Sequence, residues 1–403
     1  QSLGISEDLH EKKMSELDEA LKVKVLLAQA LFGNPDILLL DEPTNGLDVA
    51  TISWLEDFLA DYDRIVIVVS HDRHFLNQVC TQMCDVDFGK IKMYVGNYDF
   101  WLQSSRLAAQ MRADANAKKE EKIKELNDFI ARFSANASKS KQATSRKKQL
   151  EKITLDDIKP SSRKYPFVKF ESQRDLGNDL LRVENVSKTI DGVKILDNIN
   201  FTIRPGEKAA ILSRSDLAQT TMMQILAGTL KPDTGTVKYG QTVITSSLPR
   251  DLDANFNNEE LSILDWLRQY ATKEQNDNTF LRGFLGKMLF SGDDIQKQIK
   301  VLSGGEKVRC MLSKMMLEQG NTLLLDDPTN HLDLESITSL NDALVSFNGS
   351  VIFTSHDHEF ISTIADHLVE ISDNGSIDRA ETTYDEFLAH EIVRQQVAKL
   401  YEK

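Results

Sequence analysis

Apolar runs and helix-like segments alternate in two series along the chain, and both series have the same order. A helical pattern, a continuous apolar run, a second helix and a second apolar run follow one another. Continuous apolar strands between helices are typical of a parallel sheet covered on both faces. Ligands of such sheets bind at the carboxyl ends of the strands. The segments are 22–32, 37–40 and 65–69 in the first series, and 307–317, 322–325 and 351–354 in the second.

The two series are copies of one domain, because motifs recur in them at a fixed distance. "LLLDEPTNGLD" (38–48) and "LLLDDPTNHLD" (323–333) are identical at nine of eleven positions, at an offset of 285 residues. The same offset pairs "SHD" at 70–72 with "SHD" at 355–357. A period of this length indicates duplicated domains rather than a solenoid. We therefore expect two α/β domains in tandem, the first truncated on its N-terminal side and without its own phosphate-binding loop.

Composition and charge divide the chain into segments and narrow its class. We expect the back half of the first domain at 1–97, a basic linker at 98–178, the complete second domain at 179–390 and a C-terminal helix at 391–403. The net charge is −14, yet residues 104–164 carry 16 basic against 8 acidic side chains. No apolar run approaches the roughly 18 residues that cross a bilayer, so we expect no membrane partner. Three cysteines form no even disulfide framework and favour reduced thiols in a cytoplasmic protein.

An acidic residue ends the first apolar run of each copy. A carboxylate at a strand end can hold Mg²⁺ beside the phosphates of a nucleotide, and the next acidic residue can orient and deprotonate a water. A histidine at the end of the following strand can contact a γ-phosphate. The alternative, a strand with a capping Asp and a surface His, does not explain the recurrence at a fixed offset. The candidates are Asp41 and Asp326 for Mg²⁺, Glu42 and Asp327 for the water, and His71 and His356 for the phosphate.

Two further motifs predict phosphate contacts in the second copy. "LSGGEKVR" (302–309) places small residues before a helix, whose free N–H groups and dipole can grip an anion. "KAAILSRSDLAQTTMMQILAG" (208–228) has the strand, loop and helix of a phosphate-binding loop, which ordinarily reads G-x-x-x-x-G-K-[ST]. Ser213 and Ala218 stand at its glycine positions and Gln219 at its lysine position. The candidate nucleotide ligands are Ser303, Gly304, Gly305, Glu306, Ser213, Gln219, Thr220 and Thr221, with Thr220 also a Mg²⁺ ligand.

Together these motifs resemble those of the ATP-binding cassette (ABC) ATPases. The signature is "LSGGE", the Walker B motifs are "LLLDEP" and "LLLDDP", and the D-loops are "NGLD" and "NHLD". Tandem cassettes joined by a charged linker resemble the ABC-F family of ribosome-associated factors. The linker string "FSANASKSKQATSRKKQLEKI" resembles the YbiT-type branch in particular. The resemblance implies P-loop NTPase domains with a mainly parallel sheet, ATP and Mg²⁺ as cofactors, and ATP hydrolysis.

The resemblance also implies two composite ATP sites, each made of the Walker motifs of one cassette and the signature of the other. One site would unite Asp41, Glu42 and His71 with the signature at 303–305. The other would be degenerate, and we expect ATP hydrolysis by the complete protein but almost none by the 403-residue chain. Five features make this second site degenerate. They are the altered phosphate loop, the shorter acid Asp327, Ile190 at the adenine-stacking position, the segment 246–251 without a Q-loop glutamine, and "LDEALKVK" (17–24) in place of a signature.

The linker combines a helical seam with a cationic segment. Ile123, Leu126, Ile130 and Phe133 have the spacing of a heptad seam. The segment 134–148 has small residues, five basic side chains and no acid, so we expect an antiparallel helical hairpin with a basic tip. A solvated helix pair is the alternative, but a basic tip on an acidic protein favours nucleic acid. The resemblance implies contact with the ribosome at its E site, including rRNA and P-site tRNA, through Arg132, Lys139, Lys141, Arg146, Lys147 and Lys148.

Three other functions remain open from the sequence. A coupling subunit of a membrane transporter shares the cassette motifs, although such cassettes are not usually fused through a basic hairpin. A DNA-repair ATPase can also carry coiled-coil arms. The third is a binding scaffold without catalysis. We expect a monomer whose two cassettes pair within one chain.

Overall fold

The computed structural model describes most of the chain, which divides into two compact units. One unit comprises residues 1–57, 62–74 and 164–403, and the other comprises residues 58–61 and 75–163. The residues described are 5, 12–17, 19–33, 35–44, 47, 49–87, 89–133, 145–147, 150, 163–213, 215–258, 260–372, 375–380, 382–384 and 386–388.

The first copy alternates helices and strands before it continues into a long helix. Its elements are α1 (Glu19–Leu31), β1 (Ile37–Asp41), α2 (Val49–Ala60), β2 (Ile65–Val69), α3 (Arg73–Val79), β3 (Gln82–Asp87), β4 (Lys90–Val95) and α4 (Tyr98–Phe133). Strands β1 and β2 are parallel, with Asp41 opposite Val69 at their carboxyl ends. Strands β3 and β4 form an antiparallel pair.

The second copy contains a six-stranded, mainly parallel sheet and a smaller antiparallel sheet. Its elements are β5 (Leu181–Ile190), β6 (Val193–Ile203), β7 (Lys208–Ser213), α5 (Asp216–Leu226), β8 (Thr234–Tyr239), β9 (Thr245–Leu248), α6 (Ile263–Arg268), α7 (Asn278–Lys287), α8 (Gly304–Glu318), β10 (Thr322–Asp326), α9 (Leu334–Ser346), β11 (Ser350–Thr354), α10 (His358–Ile364), β12 (His367–Ser372) and β13 (Gly375–Ala380). The six-stranded sheet has the order β13-β12-β7-β11-β10-β9, and only β13 runs antiparallel to its neighbour. The strands β6-β5-β8 form a separate antiparallel sheet.

The duplication extends through every shared element. Helix α1, strand β1, helix α2, strand β2, helix α3 and strands β3 and β4 each begin 285 residues before α8, β10, α9, β11, α10, β12 and β13, respectively. The mixed α/β fold with a mainly parallel sheet, predicted from the alternating pattern, is confirmed.

Two apolar cores lie on opposite faces of the parallel sheet in the second copy. Leu323 and Leu325 of β10 belong to the core that also contains residues of helices α8, α9 and α10, whereas Leu324 belongs to the core with α5 and the antiparallel sheet. All five residues of β10 and all five of β11 are buried. Because side chains alternate between the faces of a strand, only a sheet covered on both faces requires such continuous apolar runs.

In the first copy the equivalent sheet is covered on one face within the described residues. Leu38 of β1 is buried, but Leu39 is 69% exposed, whereas its counterpart Leu324 is 1% exposed. Ile67 of β2 is also exposed, although its counterpart Ile352 is fully buried. The continuous apolar sequence of β1 and β2 is therefore that of a strand pair built for cover on both faces.

The first arm of the predicted hairpin is helix α4. The Asn97 side chain accepts a hydrogen bond from the N–H of Phe100 at 3.2 Å, as expected for a residue that caps a helix. Leu126 is buried, and Ile123 and Ile130 are half-buried. The Phe133 side chain and most of the predicted tip and return arm lie outside the described residues, so the hairpin stays a prediction.

Candidate functional site

The acidic residue after β1 and the histidine after β2 contact each other. The N–H of Glu42 donates to the Val69 carbonyl at 2.7 Å, which fixes its backbone at the end of the parallel pair. The Glu42 carboxylate accepts the N–H of His71 at 3.2 Å, and its other oxygen lies 3.4 Å from His71 Nε2. The parallel register thus assembles a carboxylate and an imidazole at one sheet edge. Such a pair can orient a water and contact a phosphoryl oxygen.

The second copy keeps the backbone of this arrangement but changes its side chains. Glu42 and Asp327 have left-handed φ angles of 47° and 50°, which a non-glycine residue rarely adopts. The N–H of Asp327 donates to the Thr354 hydroxyl at 2.9 Å. Its carboxylate lies 3.7 Å from Arg250, and burial raises its pKa while the nearby His356 and Arg250 oppose that rise. The shared strain was not visible in the sequence, because it depends on the strand ends.

The residues predicted to hold Mg²⁺ in the second copy lie close together. The Asp326 carboxylate accepts a hydrogen bond from the Thr354 hydroxyl at 2.8 Å. Burial raises the pKa of Asp326, while the nearby Thr354 and Thr220 hydroxyls and the charge of Arg250 oppose that rise. The Thr220 hydroxyl is buried without a hydrogen-bond partner of normal geometry. A carboxylate and an unsatisfied hydroxyl are oxygen ligands of the kind Mg²⁺ prefers, so this part of the site fits the ion.

The loop between β7 and α5 does not fit a nucleotide phosphate. Ser215 caps α5 and its hydroxyl accepts the N–H of Ala218 at 3.3 Å. The N–H of Ser215 itself donates to the Ser213 hydroxyl at 3.2 Å. Gln219 is 4% exposed and its side chain donates inward to the Ile211 carbonyl at 3.3 Å. A phosphate loop needs free N–H groups and a lysine. Here the N–H groups of Ser215 and Ala218 have partners within the loop, and glutamine stands at the lysine position.

An ion-pair network that the sequence did not predict lies across this loop. The Asp216 carboxylate accepts a hydrogen bond from Arg250 at 2.9 Å and lies 3.3 Å from His356 Nε2. The contact with His356, and then Arg250, keeps the pKa of Asp216 well below its usual range. The same contact raises the pKa of His356. The acid inside a phosphate loop was the sequence signal for Asp216, and Arg250 lies in the segment 246–251, which lacks a Q-loop glutamine.

The signature of the second copy is a capped helix start packed against its own D-loop. The Ser303 hydroxyl accepts the N–H of Glu306 at 3.3 Å, and the Glu306 carboxylate accepts the N–H of Ser303 at 2.9 Å. A Cβ added to Gly305 would lie 2.7 Å from the His331 carbonyl oxygen. In the first copy, α1 begins at Glu19, the position that matches Gly304. The hydrogen bonds described for Ser303 and Glu306 lie within the second copy, so their pairing with Glu42 stays a proposal.

Comparison with known proteins identifies the family. A sequence profile described as ABC transporter matches residues 196–330, and a second profile with the same description matches residues 84–170. The chain is 60% identical to the uncharacterized ABC transporter ATP-binding protein YkpA of Bacillus subtilis, over 99% of this chain and 74% of that protein. It is 46% identical to the probable ATP-binding protein YbiT of Escherichia coli O157:H7, over 93% of this chain and 71% of that protein. The chain belongs to the ABC family of ATP-binding proteins.

Other similarities relate this ABC protein to the F type. It is 32% identical to ABC transporter F family member 2 of Arabidopsis thaliana, over 93% of this chain and 55% of that protein. Its fold is similar to that of an archaeal ribosome recycling factor, aABCE1, solved in complex with the ribosomal stalk protein aP1. That likeness has a TM-score of 0.64 at 17% identity and covers 96% of this chain and 69% of that one. No helix among the residues described is long and apolar enough to cross a membrane.

The linker of this ABC protein is anchored at its base by one acidic side chain. The Asp85 carboxylate is nearly buried and lies 2.5 Å from Arg163 Nη2. Trp101 of α4 donates its indole N–H to Asp85 at 3.4 Å, and the Arg163 guanidinium lies 4.8 Å from the centre of the Trp101 ring. Among the predicted RNA-binding residues, Arg146 and Lys147 are exposed. The Arg132 side chain and Lys139, Lys141 and Lys148 lie outside the described residues.

Proposed function

We propose that the complete protein is an ABC-F ATPase of the YbiT type that binds the ribosome in its ATP-bound state and leaves it after hydrolysis. The observation that carries the ATPase part is the contact of Glu42 with His71 at the carboxyl ends of two parallel strands. Glu42 holds the position from which a carboxylate can deprotonate a water, and His71 the position from which an imidazole can contact the γ-phosphate. The bound Mg·ATP supplies the phosphoryl group.

The active site of this proposal is composite. Asp41, Glu42 and His71 come from the first cassette, and the signature Ser303, Gly304, Gly305 and Glu306 from the second, within a single monomer. The opposite site is degenerate, because its phosphate loop holds Gln219 in place of lysine. ATP and Mg²⁺ therefore act chiefly at the site that contains Glu42.

Two observations support the ribosome as the proposed partner. They are the distribution of charge along the chain and the similarity to known proteins. Residues 104–164 carry 16 basic against 8 acidic side chains, although the whole chain has a net charge of −14. A basic segment on an acidic protein favours binding to phosphate backbones through the linker alone. We place the linker in the E site, directed toward P-site tRNA and rRNA, in a cytoplasmic protein that regulates translation. The aABCE1 structure is itself a complex with a ribosomal stalk protein.

The test is co-sedimentation of the complete protein with ribosomes. The Glu42→Gln variant should bind ATP without turnover and therefore remain on the ribosome when ATP is present. Omission of ATP should release it. Replacement of Arg146 and Lys147 by Ala should weaken ribosome retention at physiological salt while ATP binding is unchanged, because those exposed side chains would neutralise phosphates.

A matched control replaces two exposed lysines of β4 outside the basic segment, Lys90 and Lys92, by Ala. That change removes the same charge but should leave retention intact. Normal ATP binding with no ATP-dependent retention would reject the ribosome as partner. Retention on double-stranded DNA, with none on ribosomes, would favour a repair ATPase instead.

A further inference from the structure

The degenerate site of the second cassette holds an internal anion where a phosphate would lie. Asp216 is the first residue of α5, where the altered phosphate loop ends. Its carboxylate bridges Arg250, which follows β9, and His356, which follows β11. The γ-phosphate of a bound ATP would have to lie between this loop and His356. We propose that the Asp216 carboxylate replaces that phosphate and closes the second site to ATP.

The backbone of the loop supports the same conclusion. A phosphate is bound by consecutive N–H groups that have no partner inside the protein. Here the N–H of Ser215 donates to the Ser213 hydroxyl, and the N–H of Gln219 donates to the Ser215 carbonyl at 3.1 Å. The N–H of Ala218 donates to Ser215 as well, at 3.0 Å to its carbonyl. These donors are already satisfied without a ligand.

The charges at the site also disfavour a nucleotide. Gln219 contributes no cation and its side chain turns inward to the Ile211 carbonyl. Three carboxylates surround the site, and Arg250 and His356 are the cations whose contacts with them are described. Both cations are held by Asp216, so a triphosphate would have to compete with a carboxylate that is part of the chain. The three carboxylates are Asp216, Asp326 and Asp327.

A consequence is that this site does not alternate between an ATP-bound and an ATP-free state. In a competent cassette the histidine at this position would contact a γ-phosphate, which leaves after each hydrolysis. His356 keeps its partner at all times, because Asp216 is covalently part of the loop. The second site would then stay in one arrangement while the site with Glu42 binds and hydrolyses ATP. This inference rests on the proposed degeneracy of the second site, and it adds the residue that enforces it.

The first test measures the His356 imidazole by NMR in the 403-residue chain with labelled histidine. Addition of Mg·ATP should leave the His356 signal unchanged, whereas Asp216→Asn should lower its pKa. The control Asp251→Asn removes one charge from the exposed residue next to Arg250 and should leave the His356 pKa in place. A saturable shift of the His356 NMR signal on addition of Mg·ATP to the unmodified chain would overturn both the proposed role of Asp216 and the proposed degeneracy of the second site. An unchanged His356 pKa in Asp216→Asn would overturn only the proposed role of Asp216.

The second test restores the loop chemistry with and without the acid. One variant carries Ser213→Gly, Ala218→Gly and Gln219→Lys, and its partner carries Asp216→Asn in addition. A fluorescent ATP analogue with Mg²⁺ should bind the partner at least about tenfold more tightly, which is about 1.4 kcal/mol. Equal affinity of the two, including no binding by either, would exclude Asp216 as the barrier and leave the degeneracy to the other substitutions. The proposal predicts a difference only when Asp216 is changed.

Discussion

The carboxylate of Asp216 lies 3.3 Å from Nε2 of His356, so two residues 140 positions apart form one ion pair across the altered phosphate loop. The pKa of Asp216 is lowered and that of His356 is raised, chiefly by each other. An acid whose pKa is lowered by folding stabilises the fold above its unfolded pKa, and this stabilisation is lost as the pH falls. A histidine whose pKa is raised by folding stabilises the fold below its unfolded pKa, and this stabilisation is lost as the pH rises. The pair is therefore most stabilising between about pH 4 and 6.5.

Asp216→Asn should lower the free energy of unfolding more at pH 6 than at pH 9. The side chains are 52% and 36% exposed, so solvent screening keeps the loss at pH 6 to about 0.5–1 kcal/mol. Urea unfolding at the two pH values measures the difference. Asp251→Asn is the control and should show no such pH dependence. An equal loss at the two pH values would mean that Arg250, which is charged at both, is the partner that matters rather than His356.

The catalytic assignment predicts opposite effects of two carboxylate changes in the complete protein. Glu42→Gln should lower ATP turnover at least about a hundredfold, because the residue that deprotonates the water is lost. Asp327→Asn should change turnover less than about threefold, since its site contributes little catalysis. Phosphate release and equilibrium ATP binding, measured together, separate turnover from affinity. If Asp327→Asn were the more damaging change, the two sites would have been assigned the wrong way round.

The sequence predicted the duplication and the sheet because both depend on local patterns. The apolar runs that end at Asp41 and Asp326, and the constant offset between them, follow directly from the order of residues. The network of Asp216 with Arg250 could not be predicted, because its members come from different loops that only the sheet brings together. The left-handed backbone at Glu42 and Asp327 was equally hidden, since it results from where the adjacent strand ends. Local patterns thus predicted the fold, whereas the state of the second site required the tertiary structure.

The signature glycines should tolerate alanine unequally. A Cβ on Gly305 would lie 2.7 Å from the backbone oxygen of His331, whereas one on Gly304 would meet the His331 ring at 3.0 Å, and a side chain can move more easily. Gly305→Ala should therefore cost about 1–3 kcal/mol of unfolding free energy and Gly304→Ala less. Thermal and urea unfolding measure both changes.

Gly283→Ala is the matched control for these two variants. It lies inside α7, where an added Cβ meets nothing within 4 Å. Alanine there should raise stability by about 0.5–1 kcal/mol, because glycine is the poorer helix former. Equal costs for Gly304→Ala and Gly305→Ala would show that the D-loop backbone moves as freely as the His331 ring.

At the base of the linker, Arg163 should contribute more to the free energy of unfolding than an ion pair alone would. Arg163→Ala would leave the nearly buried Asp85 without its ion partner and uncover Trp101, so we expect a loss of about 2–3 kcal/mol. Arg163→Lys should recover only part of it, because lysine lacks the planar fork that can pair and stack at once. Trypsin cleavage of the linker at low denaturant should accelerate in the same order. Full rescue by lysine would reduce the anchor to a simple charge pair.

A buried histidine joins three segments of the second cassette and should be among its most sensitive positions. His367 is 1% exposed, and its two ring nitrogens lie 3.0 Å from Glu207 and 2.6 Å from Asp378. Asp378 also accepts the N–H of Thr202 in β6, so the imidazole connects the parallel sheet to the antiparallel one. His367→Ala would leave two partly buried carboxylates facing one another. We expect a loss of about 2–4 kcal/mol in the free energy of unfolding.

Asp378→Asn in the His367→Ala background distinguishes charge repulsion from lost packing. If the two carboxylates repel each other once the imidazole is gone, removing one charge should restore about 1 kcal/mol or more, although Asp378→Asn alone in the native protein should destabilise it. A double-mutant cycle from urea unfolding measures this coupling. Additive losses would instead mean that His367 acts only as a space-filling side chain between the strands, because a space-filling role requires no charge at Asp378.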